Sequence, residues 1–167
     1  MTWLKEGYAI PKAENNYLKL EDGNTKFRIV SKPIIGYVAW TEEKKPLRKK
    51  DNDFSGVRLQ EGTSPKHFWA MVVWNYEDEK TQILEITQKT IMKAIQRYAS
   101  NPDWGTPLDY DITITRSGQK LNTEYALVAS PKKDLSADVL SVIEENKVNL
   151  EALFTGEDPF LIKQDAF

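Results

Sequence analysis

Five cations, Lys44, Lys45, Arg48, Lys49 and Lys50, fall within seven residues, and aromatic rings bracket them. Tyr37 and Trp40 precede the cluster; Lys66, Phe68, Trp69, Trp74 and Tyr76 follow it. Cations that track phosphates and flat rings that stack on bases are how single-stranded nucleic acid is held, each stacked base being worth about 1–3 kcal/mol. The bland alternative is equally concrete. Charge runs are usually solvated surface, and Glu42, Glu43, Asp51 and Asp53 flank this one; aromatic residues fill cores as often as they meet ligands.

Covalent or acid–base chemistry finds little support. There is no cysteine, which excludes disulfides, thiolate catalysis and cysteine-ligated zinc together. His67 is the single histidine, too few for a usual zinc site, and it lies inside a strand, where a packed or groove-facing imidazole is the expected role. The eight glycines are scattered, and none opens a helix in a phosphate-cradling pattern. Asp109 and Asp111 are two apart on one strand, so they share a face, but no third carboxylate converges on them. The sequence therefore predicts no enzyme, no catalytic residue, no metal and no cofactor.

The elements that must carry the cations and rings are legible from periodicity. Residues 25–31, TKFRIVS, alternate Phe27 and Ile29 with Lys26, Arg28 and Val30, as a half-buried strand does. Residues 34–40, IIGYVAW, continue it past Pro33, with Gly36 expected to permit a kink or bulge. The polar stretch 41–65 is longer than an ordinary connection and reads as a functional loop. A strand at 66–75 and another at 81–87 form a hairpin. Ile91, Ala94, Ile95 and Tyr98 then recur at helical spacing behind a Thr87 cap. A second hairpin pairs 109–116 with 122–129.

In strand 66–75 both alternating faces are largely apolar, so parity leaves open which of Trp69 and Trp74 is core. Trp104, in the NPDWG turn, reads as a plug beneath the barrel rather than a base-stacking ring. A long bent strand, a hairpin, a helix and a second hairpin is the order of a mainly β, five-stranded OB-fold barrel with one helix between strands 3 and 4. Residues 1–24 are a lead-in, 25–133 the barrel, and 134–167 a C-terminal helical appendage and acidic tail. Arg116 and Lys120 bracket the last hairpin's tip, a loop that OB-folds often use to grip oligonucleotides. The expected nucleic-acid-binding set is Lys26, Arg28, Tyr37, Trp40, Arg48, Lys49, Lys66, Arg116 and Lys120, with one or both of Trp69 and Trp74.

Bulk numbers fit this organisation. The 167 residues suffice for one domain with an appendage, and 40% hydrophobic with 29% charged residues is a globular profile. No apolar run is long enough for a membrane span, and the first residues lack a signal-peptide core, so a cytoplasmic address is expected. The net charge of −2 hides an asymmetry: residues 1–133 carry +4 and residues 134–167 carry −6. A mildly basic body with an acidic tail points to a charged partner.

The stretches KFRIVSKPIIGYVAW, KHFWAMVVWNYEDEKTQILEITQKTIMKAI, NPDWGTPLDYDITITRSGQKLNTEY and VNLEALFTGEDPF resemble bacteriophage single-stranded-DNA-binding proteins of the OB-fold type, over most of residues 26–160. The resemblance implies sequence-nonspecific single-stranded-DNA binding in phage replication or recombination, inside the infected host, without a cofactor. Gly156-Glu157-Asp158-Pro159-Phe160 is also similar to the acidic, Pro-Phe-ending tips of bacterial single-stranded-DNA-binding proteins, though here seven residues follow. That likeness implies that Asp158, Pro159 and Phe160 dock on replication or recombination proteins, or compete with DNA for the protein's own groove. An OB-type module for RNA or an oligosaccharide, and a scaffolding protein, are the alternative readings. An exposed aromatic strand or the helical appendage could pair subunits into a homo-oligomer.

Overall fold

β-branched and aromatic residues at alternate positions build seven antiparallel strands in a computed structural model that describes residue 3 and residues 16–160. The strands are β1 (Gly23–Ile29), β2 (Ile34–Trp40), β3 (Pro46–Lys49), β4 (Lys66–Asn75), β5 (Lys80–Ile86), β6 (Asp111–Ser117) and β7 (Glu124–Ala129). Helix α1 (Lys89–Ser100) separates β5 from β6; α2 (Ala137–Glu145) and the single turn α3 (Ala152–Thr155) follow β7. The sheet runs β3-β2-β4-β1-β6-β7, with β5 on the other edge of β4.

The long bent strand is present. β1 and β2 lie end to end along one edge of β4, with Ile29 opposite Val73 and Ile34 opposite Ala70. Between them Val30 still donates its N–H to the Val72 carbonyl, and the Ser31 hydroxyl accepts the Val72 N–H. Pro33 then interrupts the ladder, since it has no N–H to give.

Two expectations about the sheet are corrected. It has seven strands rather than five, because the bent strand is two strands, β1 and β2, and the basic stretch contains β3, an edge strand pairing Leu47 with Ala39 and Lys49 with Tyr37. Nor is it a closed barrel: no ladder joins β5 to β7 among the described residues. At Ile83 the outer edge of β5 is instead taken by the lead-in, where Leu18 donates to the Ile83 carbonyl and Ile83 donates to the Asn16 carbonyl.

Each face of the sheet has its own core. On the inner face Phe27, Ile29, Met71, Val73, Leu84, Ile86, Ile112 and Ile114 pack on Ile91, Met92 and Ile95 of α1. Helix α1 starts one residue later than its expected cap: Gln88, not Thr87, is the N-cap, and it makes no side-chain capping bond. On the outer face Val38, Phe68, Ala70, Val72 and Ile83 are covered by Leu150 and Leu153, with Tyr17, Val148, Phe154 and Phe160 packed around them.

Gly36 is the hinge of this second core, for a reason other than a kink. A β-carbon there would lie 2.6 Å from the Lys49 carbonyl oxygen and 2.9 Å from Phe154 Cε1, so only glycine lets β3 and Phe154 approach β2 so closely. The Asp158-Pro159-Phe160 turn belongs to the same cover. The Pro159 carbonyl accepts the Asn149 N–H at 2.8 Å, Pro159 is buried, and Phe160 packs on the outer-face cluster. Up to residue 160 the expected tail is thus a segment docked on the sheet. Residues 161–167, the rest of the expected acidic tail, lie outside the described residues.

Candidate nucleic-acid interface

Trp40, at the end of β2, stays 47% exposed although its strand is central. Its neighbour two residues back on the same face, Val38, faces Arg48 across β3 and Lys66 across β4. Those side chains, with Gly62, Thr63, Ser64, Glu85 and Thr87, line one open cleft of about 490 Å³. The long loop supplies its far wall. That loop is pinned to β2 where Gln60 donates to the Trp40 carbonyl at 2.8 Å and Glu42 donates to the Arg58 carbonyl at 3.1 Å.

Within the cleft the cations differ. Arg48 is half-buried, and its Nη2 donates to Glu85 Oε2 at 2.6 Å with Nε at 3.2 Å, so part of its charge is already answered. Lys66 is exposed and makes no hydrogen bond or ion pair among the described residues. It is the cation most available to a phosphate.

The remaining candidates are not gathered there. Tyr37 points to the opposite face of β2, its ring 5.1 Å from that of His67, whose Nδ1 is buried and finds no hydrogen-bond partner among the described residues. Lys49 lies beside it in register, donating to the Asp53 carbonyl with its ammonium 5.5 Å from the Phe54 ring. Asp53 accepts from both the hydroxyl and the N–H of Ser55, bonds that hold its carboxyl below the usual value. Trp69 is half-buried and lines an apolar cavity of about 270 Å³ with Pro33, Ile95 and Leu108. Lys26 sits over the Tyr76 ring, 3.8 Å from Asp111. Arg116 donates to the Leu20 carbonyl and approaches Asp22, while Lys120 is exposed in the turn between β6 and β7.

Two expected contacts are sealed inside. Trp74 is 3% exposed and Arg28 only 2%. Arg28 stands between Trp74 and Asp111 in register; its Nε donates to Asp111 Oδ1 at 2.8 Å, Nη1 to the Leu108 carbonyl and Nη2 to the Lys133 carbonyl. Tyr76 donates its hydroxyl to the same Asp111 oxygen at 2.6 Å, and burial first, then that bond, pushes its phenol up to about 12. Alternation set Arg28 on the face opposite Phe27 and Ile29. What it could not show is that this face is covered there by the turn at 107–109 and by the chain at Lys133.

The chain is similar to a bacteriophage protein. It is 28% identical over 138 residues to the "Probable ssDNA-binding protein" of Escherichia phage T5, a match that covers 65% of this chain and 52% of that one. The chain thus spans about half the length of the curated relative it matches. The resemblance to phage single-stranded-DNA-binding proteins seen in the residues is shown by this relative. No protein-family model matches the chain, and no solved structure matches it. No helix among the described residues is long and apolar enough to cross a membrane.

Proposed function

We propose that the protein binds single-stranded DNA without sequence preference, through the cleft walled by β2, β3, β4 and residues 60–64. The observation that carries this reading is a half-exposed indole, Trp40, beside an unpaired ammonium, Lys66, and a guanidinium, Arg48, in one open cleft. A base stacked on Trp40 would place its phosphates within reach of Lys66, while Arg48 could exchange Glu85 for a phosphate. Tyr37 and Lys49 extend the surface around the edge strand. Arg28 and Trp74 have no part in it. The phage relative's name supports DNA as the polymer, and a replication or recombination setting follows as part of the proposal.

The architecture supports the same reading. We take the joined β1–β2 strand, the β4–β5 hairpin, α1 and the β6–β7 hairpin as an OB arrangement, elaborated by β3 and left open between β5 and β7. Partner recruitment through Asp158, Pro159 and Phe160 would require that turn to leave the outer face of the sheet.

Titration of intrinsic fluorescence with an oligothymidylate tests the function. Trp40→Ala should weaken binding roughly 5- to 150-fold, the equivalent of one stacked base at about 1–3 kcal/mol, and should remove most of the quenching. Lys66→Gln should lower the log–log salt slope by about 0.7. Unchanged affinity and quenching in Trp40→Ala would reject the cleft, and an oligosaccharide or RNA that outcompetes the DNA would reject the polymer.

A further inference from the structure

Helix α1 carries three cations and no carboxylate. Lys89, Lys93 and Arg97 recur every fourth residue, all three exposed, and none has an ion pair or hydrogen bond among the described residues. Four residues of α-helix advance about 6 Å, a step comparable to the separation of successive phosphates along an extended strand. Lys26, Arg48, Lys49, Lys50 and Arg116 are each answered by an acid, a carbonyl or a ring, whereas the stripe, like Lys66, is open to a ligand.

The stripe borders a cleft. Where α1 packs on β7, Thr90, Ala94, Arg97, Tyr98, Asn101, Trp104, Tyr125 and Leu127 enclose about 480 Å³, again with no carboxylate in the lining. Three of the eight residues are aromatic. Trp104 meets Tyr98 and Tyr110 edge-on, at 5.1 and 5.5 Å between centroids, which fixes its ring while leaving it half-exposed. Trp104 was expected as a plug; it is a plug with one side open.

The two clefts are joined through the chain. Thr87 lines the Trp40 cleft, Lys89 begins α1 two residues later, and Thr90 lines the second cleft. We propose that the cleft between α1 and β7 is a second contact for single-stranded DNA: a strand leaving the Trp40 cleft at Thr87 runs along Lys89, Lys93 and Arg97, and a base lodges against Trp104 and Tyr125. This rests on the DNA-binding reading above and adds to it a direction of travel and a longer site. The absence of acids along the path and the presence of rings at its end favour a polynucleotide over an acidic peptide, which would need only the charge.

The test uses the full chain and two oligothymidylates, one of about 8 nucleotides, within the roughly 4–16 an OB-fold usually occupies, and one of about 20, beyond that range. In the triple variant Lys89→Gln, Lys93→Gln, Arg97→Gln the short strand should bind as it does to the parent, because the Trp40 cleft is intact. The long strand should bind more weakly, with a salt slope smaller by about 2 if three phosphates are released at about 0.7 each, and the occluded length per protein should shrink. A Tyr125→Ala variant should weaken the long strand alone. Identical slopes and occluded lengths for parent and triple variant would overturn the proposal, as would an equal loss on both strands, which would mark a general field effect. Loss of binding to a labelled Gly-Glu-Asp-Pro-Phe peptide, with DNA binding unchanged, would assign the cleft to an acidic peptide and overturn it too. Failure of the parent to bind even the short strand would instead sink the first reading, so the two are told apart.

Discussion

Replacing Arg28 with methionine separates a structural cation from a ligand-binding one. The guanidinium is 2% exposed and spends its donors on Asp111, the Leu108 carbonyl and the Lys133 carbonyl. Breaking a buried ion pair from one side costs about 3–5 kcal/mol, because the abandoned charge stays in a poor solvent. Here Asp111 keeps the Tyr76 hydroxyl at 2.6 Å and the half-exposed Lys26 ammonium at 3.8 Å, which places the loss at the lower end, about 3 kcal/mol. At about 2–4 °C per kcal/mol for a chain of this size, Tm should fall by roughly 6–12 °C. Adding Asp111→Asn should return part of it, since the amide oxygen still accepts from Tyr76 without carrying a charge. Below the melting range, oligothymidylate affinity and its salt slope should match the parent. The reasoning fails if Arg28→Met melts like the parent, or if the folded variant loses both affinity and about 0.7 of salt slope, the mark of one lost phosphate contact.

Three further outcomes follow from the same geometry. Gly36→Ala should destabilise by about 1–3 kcal/mol in chemical denaturation, because its methyl group meets the Lys49 carbonyl and Phe154 and one of them must move; no change in midpoint would mean that β3 and α3 give way freely. Leu153→Ala, beneath the outer-face cover, should cost about 2 kcal/mol or more and increase binding of a hydrophobic dye, whereas an unchanged dye signal would show that the cover is not holding that face. With Tyr76 raised from 10.0 to about 12 in the folded state, the native protein keeps a proton that the unfolded chain gives up. The contribution is whole below pH 10 and is lost as pH climbs from 10 to 12, so Tyr76→Phe should flatten the fall in stability across that window; an equally steep fall would place its cause elsewhere.

Local pattern was enough for most elements, and the reasons it missed others are physical. The hairpin strands and α1 announce themselves because one side of each is continuously apolar, as with Ile91, Met92 and Ile95. Strand β3 is hidden because it sits at an edge: Lys49 and Arg48 are tolerated there, since charge on an edge strand keeps other chains from pairing with it. Arg28 and Asp111 are 83 residues apart, so no window could show that each cancels the other's cost. The cover on the outer face is equally distant from what it covers. Leu150 and Leu153 read as a short apolar turn, and only the fold shows that Phe68 and Val72, both apolar on a face that could have been a groove, need them. Of the candidate site, Trp40, Arg48 and Lys66 converge, whereas the rings and cations beyond them are distributed over several surfaces. The α1 stripe is legible in the sequence as a helix with no acid, although the cations at 44–50 are denser and dominate the charge pattern.

The order in which the chain is made matters for the outer face. Strand β5 completes the apolar patch of Val38, Phe68, Ala70, Val72 and Ile83, and Val148 begins its cover some sixty residues later. At a ribosomal rate of about 5–20 residues per second, that patch stays bare for roughly 3–12 s of synthesis. A nascent chain in that interval is greasy on one side and depends on dilution or a chaperone to stay single. Premature termination anywhere between Ile86 and Val148 would leave it so permanently, which makes nonsense changes in that span a hazard to neighbouring chains as well as a loss of product.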